Sequence, residues 1–202
     1  MKRLVIYCLF LLPIISCNQS KIFDCDSIDS EGEIYRVSKT QIPATGTMIC
    51  YYDNGKKMVE ENFLNGLLHG KHIEWDSSGN IKFEENLKYG LYDGKQTVYY
   101  ETGKIMSVRF YKLNREDSTD SEFYPNGVLK VQGHYQYNDS DLNLIPQYQT
   151  DSAFVMDSDN NIIGIKKMSS TYYKPKNGLW QYWDEKGILI KQEFYKDGQL
   201  LK

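Results

Sequence analysis

The sequence predicts an all-β fold: consecutive antiparallel β-hairpins on a 24-residue period, joined into an elongated, twisted sheet, with helix confined to the N-terminal apolar segment. Three observations carry that expectation. Of the 202 residues 14% are aromatic, 17 of them Tyr, and aromatic side chains suit half-buried pleated surfaces better than helices. Gly55, Gly79, Gly103 and Gly127 are spaced 24 apart; Gly46, Gly70 and Gly94 repeat that interval nine residues earlier, and Gly178 and Gly187 are again nine apart. Four residues before each second glycine stands an aromatic (Tyr51, Trp75, Tyr99, Phe123, Trp183), and eight after it a large apolar group (Phe63, Leu87, Tyr111, Tyr135, Tyr195). Self-similarity at a fixed period is the mark of a repeat array.

The N-terminus reads as a processing segment. Lys2 and Arg3 precede an almost wholly apolar run from Leu4 to Ile15, too short for a transmembrane helix of roughly 20 residues and of the proportions of a signal-peptide core. The run ends in Ile14-Ile15-Ser16-Cys17, which resembles the lipobox of bacterial lipoproteins. That resemblance implies cleavage after residue 16, acylation of Cys17, and a chain anchored to a membrane of the bacterial cell envelope; more than one acyl chain gives stable anchoring. Residues 17–42 follow as tether and lead-in, with Asn18 to Ser30 rich in Ser and Asp. Without residues 1–16 the chain carries 22 basic against 27 acidic groups, a formal charge of −5, and shows no basic footprint for nucleic acid. Cys25 and Cys50 then remain. A disulfide between them and two separate thiols are both compatible with the sequence, because spacing does not test Cβ geometry.

Residues 43–135 read as the first four repeats. Asp53-Asn54-Gly55, Ser77-Ser78-Gly79, Glu101-Thr102-Gly103, Pro125-Asn126-Gly127 and Glu185-Lys186-Gly187 have the form of three-residue hairpin loops with Gly at the left-handed position. Such loops pair Trp75 with Ile81, Tyr99 with Ile105, Phe123 with Leu129, Trp183 with Leu189 and Tyr51 with Lys57. A regular ladder next pairs Ile49 with Val59, Ile73 with Phe83, Thr97 with Ser107 and Gln181 with Lys191, and puts Lys56, Glu60, Lys82 and Glu84 on a separate wet face. A second turn closes each unit: Asn65-Gly66, Tyr89-Gly90, Leu113-Asn114, Asn138-Asp139 and Asp197-Gly198.

These residues resemble the MORN-repeat variant of the YwqK-type antitoxin family and of many bacterial envelope proteins, most clearly over Gly46 to Gly66, Gly94 to Tyr111 and Gly178 to Gly198. The resemblance implies the hairpin fold and, for function, an antitoxin or immunity-like role in which an acidic array masks a toxin. It is weak on activity, since one fold hosts many roles.

Between Gly127 and Gly187 the interval is 60, so residues 136–176 are an insertion before a final repeat at 177–202. Within it Ala153 to Met168 alternates and breaks at Asp157–Asn161, as an extra hairpin with a longer loop would. Insertions in repeat arrays often carry distinctive contacts.

The chemistry-bearing residues form no catalytic constellation. His69 and His72 flank Gly70 but lack further metal ligands at any regular spacing. Asp157, Asp159 and Asn161 copy the start of a calcium loop, yet Ile162 and Met168 stand where its glycine and glutamate belong. Glu60-Glu61 and Glu84-Glu85 are adjacent in strands and point to opposite faces. The reading is therefore a non-enzymatic protein-interaction module with no metal and no cofactor, whose partner is a protein. Exposed Tyr is enriched at recognition surfaces, and Tyr52, Tyr100, Tyr124 and Tyr182, beside the core aromatics, are the expected binding residues. The alternative is a structural or glycan-binding envelope lipoprotein stacking sugars on Trp75, Trp180 and Trp183.

Overall fold

The structure is a computed structural model that describes residues 21–116, 118–135, 152–156, 162–167 and 176–201. The signal segment, Cys17, the turn at Asn138-Asp139 and the loop at 157–161 lie outside the described residues.

In chain order the strands are β1 (Ile22–Asp24), β2 (Ile28–Glu31), β3 (Ile34–Val37), β4 (Gly46–Tyr51), β5 (Lys57–Leu64), β6 (Leu67–Trp75), β7 (Ile81–Lys88), β8 (Leu91–Tyr92), β9 (Gly94–Tyr99), β10 (Ile105–Lys112), β11 (Arg115–Glu116), β12 (Ser118–Phe123), β13 (Leu129–Tyr135), β14 (Ser152–Met156), β15 (Ile162–Lys167), β16 (Lys176–Trp183), β17 (Leu189–Lys196) and β18 (Gln199–Leu200). Fourteen of them make one open sheet whose order follows the sequence, β4-β5-β6-β7-β9-β10-β12-β13-β16-β17-β18, with β1 beyond β4 and the short β8 and β11 on β7 and β10. All its pairings are antiparallel except β1 on β4. Consecutive hairpins in an open sheet are the predicted architecture. The insertion contributes the separate hairpin β14–β15.

Both turns of each unit follow from their residues. The loop glycines have positive φ, from 77° at Gly103 to 91° at Gly127. At the second turns both central residues are left-handed: Asn65 and Gly66 at 51° and 81°, Tyr89 and Gly90 at 53° and 77°, Leu113 and Asn114 at 51° and 66°. That is the geometry whose twist matches paired strands.

The loop-flanking pairs are those the loop chemistry predicts: Tyr51–Lys57, Trp75–Ile81, Tyr99–Ile105, Phe123–Leu129 and Trp183–Leu189. The next pairs are not. Cys50 rather than Ile49 faces Val59, Glu74 rather than Ile73 faces Phe83, Val98 rather than Thr97 faces Ser107, and Tyr182 rather than Gln181 faces Lys191. A bulge inserts one unpaired residue after each loop (Met58, Lys82, Met106, Lys130, Ile190), and one extra residue moves every later side chain to the other face. Glu60 and Glu84 consequently lie opposite Ile49 and Ile73, so the predicted division into an apolar face and a charged face gives way to two mixed ones.

The lead-in is also folded rather than a plain tether. From Ile22 onward β1 lies along β4 and the β2–β3 hairpin packs over the first repeat. Phe23, Ala44, Met48, Cys50 and Phe63 are buried together there, and Tyr35 stacks on Phe63 with ring centroids 4.7 Å apart. Cys25 and Cys50 are joined by a disulfide, with Cα atoms 5.3 Å apart.

Candidate functional site

The bulges align one polar row across a single sheet face. Directly paired residues share a face, and the pairings run Glu61–His72, His72–Glu85, Gln96–Arg109, Asp120–Gly133 and Trp180–Glu193. Side-chain contacts bridge the gaps: Gln96 Nε2 donates to Glu85 Oε2 at 2.9 Å, and Arg109 Nε lies 3.5 Å from Asp120 Oδ1. Trp180 lies across Gly133, where a Cβ would stand 2.0 Å from the indole Cδ2. Glu74 and Glu122 flank the row, against Lys82 at 3.1 Å and Lys130 at 3.5 Å respectively.

The electrostatics of this row follow from its crowding. His72 Nδ1 is 2.9 Å from Glu85 Oε1, and its Nε2 lies 3.6 Å from Glu61 and 3.9 Å from Glu74. Burial works against the imidazolium, but the Glu85 hydrogen bond and the charges of Glu61, Glu85 and Glu74 outweigh it and raise the His72 pKa. Burial, with Glu74 and Glu85 nearby, raises Glu61 despite His72. Burial raises Asp120 too, although Arg109 opposes it. At the far end Glu193 is held down to about 2 by the Lys191 ammonium and the hydroxyls of Tyr182 and Tyr195, the two phenols lying 2.7 and 3.0 Å away. Lys176 Nζ sits 4.1 Å from the Trp180 ring centroid and 5.0 Å from that of Tyr195. Glu85, Glu193 and Trp180 are buried within this row, so the arrangement presents outward chiefly Glu74 and Glu122.

The four expected binding tyrosines fall into two settings. Tyr52, Tyr100 and Tyr124 stand three residues before a loop glycine, and each reaches the next repeat: their hydroxyls donate to the carbonyl oxygens of Trp75 (2.7 Å), Phe123 (2.7 Å) and Trp183 (3.0 Å). They staple neighbouring loops. Tyr182 stands five before its glycine, within β16, and belongs to the Glu193 cluster. More donors run alongside the staples: Asn54 Nδ2 to Ser77 O at 2.7 Å, Lys104 Nζ to Asn126 O at 2.8 Å, Asn126 Nδ2 to Glu185 O at 2.8 Å, and Lys56 Nζ to Ser78 O. Sequence showed the tyrosine positions but not their acceptors, because the contact joins residues 23 apart across a gap that only the splayed strand ends create.

The remaining sequence candidates disperse. His69 packs on Tyr89 at 4.8 Å while His72 turns to its glutamates. Trp180, 4% exposed, is core; Trp75 lies under Lys57 Nζ at 5.4 Å.

A sequence model of the MORN repeat variant matches residues 44–65, 68–89, 92–113, 121–137 and 176–201. Those segments cover four hairpins, the fourth without its opening glycine position, where Ser118 holds φ at 77° instead, and the hairpin after the insertion. No curated protein matches the chain. With more than half of its length matched, and with the hairpin fold, the loop glycines and the second turns in register with each other, the chain belongs to the MORN-repeat-variant family.

Proposed function

We propose that the protein is a non-enzymatic interaction module, held at a membrane of the bacterial cell envelope by acylated Cys17, whose carboxylate-bearing sheet face binds a basic protein. The observation that carries this reading is the row of carboxylates on one face, of which Glu74 and Glu122 reach the surface while Glu61, Glu85, Asp120 and Glu193 stand behind them among His72, Arg109, Lys82, Lys130 and Lys191. Exposed carboxylates steer a partner of complementary charge and fix its register. The resemblance to antitoxin repeats makes that partner a toxin, neutralised by covering its basic surface. Trp75, Trp180 and Trp183 offer no common stacking platform, which weighs against glycan binding.

The test is crosslinking capture from native envelopes with the wild type and with a Glu74→Lys/Glu122→Lys double variant. Both carboxylates are about a third exposed, at 35% and 34%, so the reversal leaves the core alone. A single basic protein recovered in stoichiometric amount by the wild type and lost by the variant supports the module. Equal recovery by both, or recovery of envelope polymer alone, overturns it. Retention of a Cys17→Ser variant in the membrane fraction overturns the anchor.

A further inference from the structure

The stapling of loops fails at one joint. Between the second and third repeats the three stapling positions hold Asp76, Ser78 and Asn80, where the first repeat has Tyr52, Asn54 and Lys56. Asp76 turns back on its own loop, accepting from Asn80 N at 2.9 Å and Asn80 Nδ2 at 3.1 Å. Among the described residues, no side chain of the second loop donates to the third. The glycines record the same break. A Cβ on Gly79 would meet Lys56 Cδ at 3.2 Å, on Gly127 Lys104 Cδ at 3.8 Å and on Gly187 Val128 Cγ1 at 3.7 Å, whereas on Gly103 it would meet nothing within 4 Å.

The consequence is a cleft of about 590 Å³. β7 and β9 pair at Phe83–Val98 and then part, as strands do at every joint. Elsewhere a tyrosine from the preceding loop spans the notch. Here the walls stay bare: Phe83, Val98 and Tyr99 line the cleft, with Asp76 and Glu101 at its rim. The backbone carbonyl of Tyr99 occupies the place that in other repeats accepts a phenol.

We infer that this cleft is a recognition site for a tyrosine side chain of a protein partner, flanked by basic residues and seated as Tyr52, Tyr100 and Tyr124 are seated in the other joints. The array itself supplies the template: a ring between splayed strands and a hydroxyl on the next repeat's carbonyl. The apolar walls take the ring, Tyr99 O takes the hydroxyl proton, and the Asp76 and Glu101 carboxylates select cationic neighbours. Lys82, the cation on this wall, is tied to Glu74 at 3.1 Å. The inference rests on the protein-interaction reading and sharpens it to a side chain.

The test is an NMR titration of the full mature chain with acetyl-Lys-Tyr-Lys-amide, and with the Phe peptide in its place. The expected result is shifts confined to amides 76–83 and 98–104, with the Phe peptide binding about fivefold more weakly for want of one hydrogen bond. An Asp76→Tyr/Ser78→Asn/Asn80→Lys variant restores the staples of the first joint. It should lose the peptide response while its urea midpoint rises, which keeps a folding defect apart from a filled site. No shifts in those segments, or equal shifts in the filled variant, overturn the inference. That failure leaves the carboxylate face standing, because the latter is judged on Glu74 and Glu122.

Discussion

At Gly133 and at His72 the local arrangement turns on one residue. Gly133 is a strand glycine kept bare by the Trp180 indole, which fills its place. Gly133→Ala should cost about 1–3 kcal/mol by overpacking and shift Trp180 emission to the red; urea titration followed by fluorescence checks both. His72 carries the pH dependence. Its folded pKa lies above 6.5, so in that range the folded state binds more protons than the unfolded one, and stability falls as pH rises through the folded value. Wild-type Tm should therefore drop as pH rises above the ordinary histidine value and through the raised folded one, and His72→Gln should flatten that slope; an unchanged slope contradicts the assignment. Glu193 has the opposite sign. With a folded value near 2 its contribution is present above the ordinary carboxylate range and is lost as pH falls towards 2. At this scale the sequence displayed the aromatic positions and the tyrosines beside them. It did not display the His72–glutamate cluster, since Glu61, His72 and Glu85 meet only through two inter-strand registers.

The hairpin is the element that local chemistry defines best. The loop glycines, the aromatic before each and the Asn-Gly-type second turns are sequence-local, and the structure places those among the described residues as their spacing predicts. Register beyond the first pair was not legible, because a bulge is one residue out of step and leaves no mark in a period of 24. The lead-in escaped for a different reason: Ile22-Phe23 and Ile34-Tyr35 are short apolar pairs in a polar stretch, and the packing of Phe23 and Tyr35 against Phe63 is what reveals a cap. That cap is fastened by the Cys25–Cys50 disulfide, which closes a loop of sequence separation 25. Chain-entropy reasoning gives such a cross-link about 3 kcal/mol. A Cys25→Ser/Cys50→Ser variant should thus exchange the amides of β1 to β4 faster while β16 and β17 keep their protection, because in an array each repeat feels only its neighbours. Uniform loss of protection along the chain would contradict that local role.

At the scale of the whole molecule, among the described residues, side-chain staples join neighbouring loops at every joint but that between the second and third repeats, and the bulges align Glu61, Glu85, Asp120 and Glu193 on one face. Charge and composition alone signalled an acidic array without a basic footprint; they did not show which carboxylates line up, because the alternation read from sequence set Glu60 and Glu84 apart from Ile49 and Ile73, which they in fact face. The face is best judged where the protein works. Carbodiimide labelling of carboxylates in native envelopes, compared with the purified mature chain and read by mass spectrometry, addresses it without identifying the partner. Glu74 and Glu122 are expected to be labelled in the purified protein and protected in the envelope, while the exposed Asp53 and Glu185 react alike in both. Equal labelling of Glu74 and Glu122 in the two preparations would contradict an occupied carboxylate face.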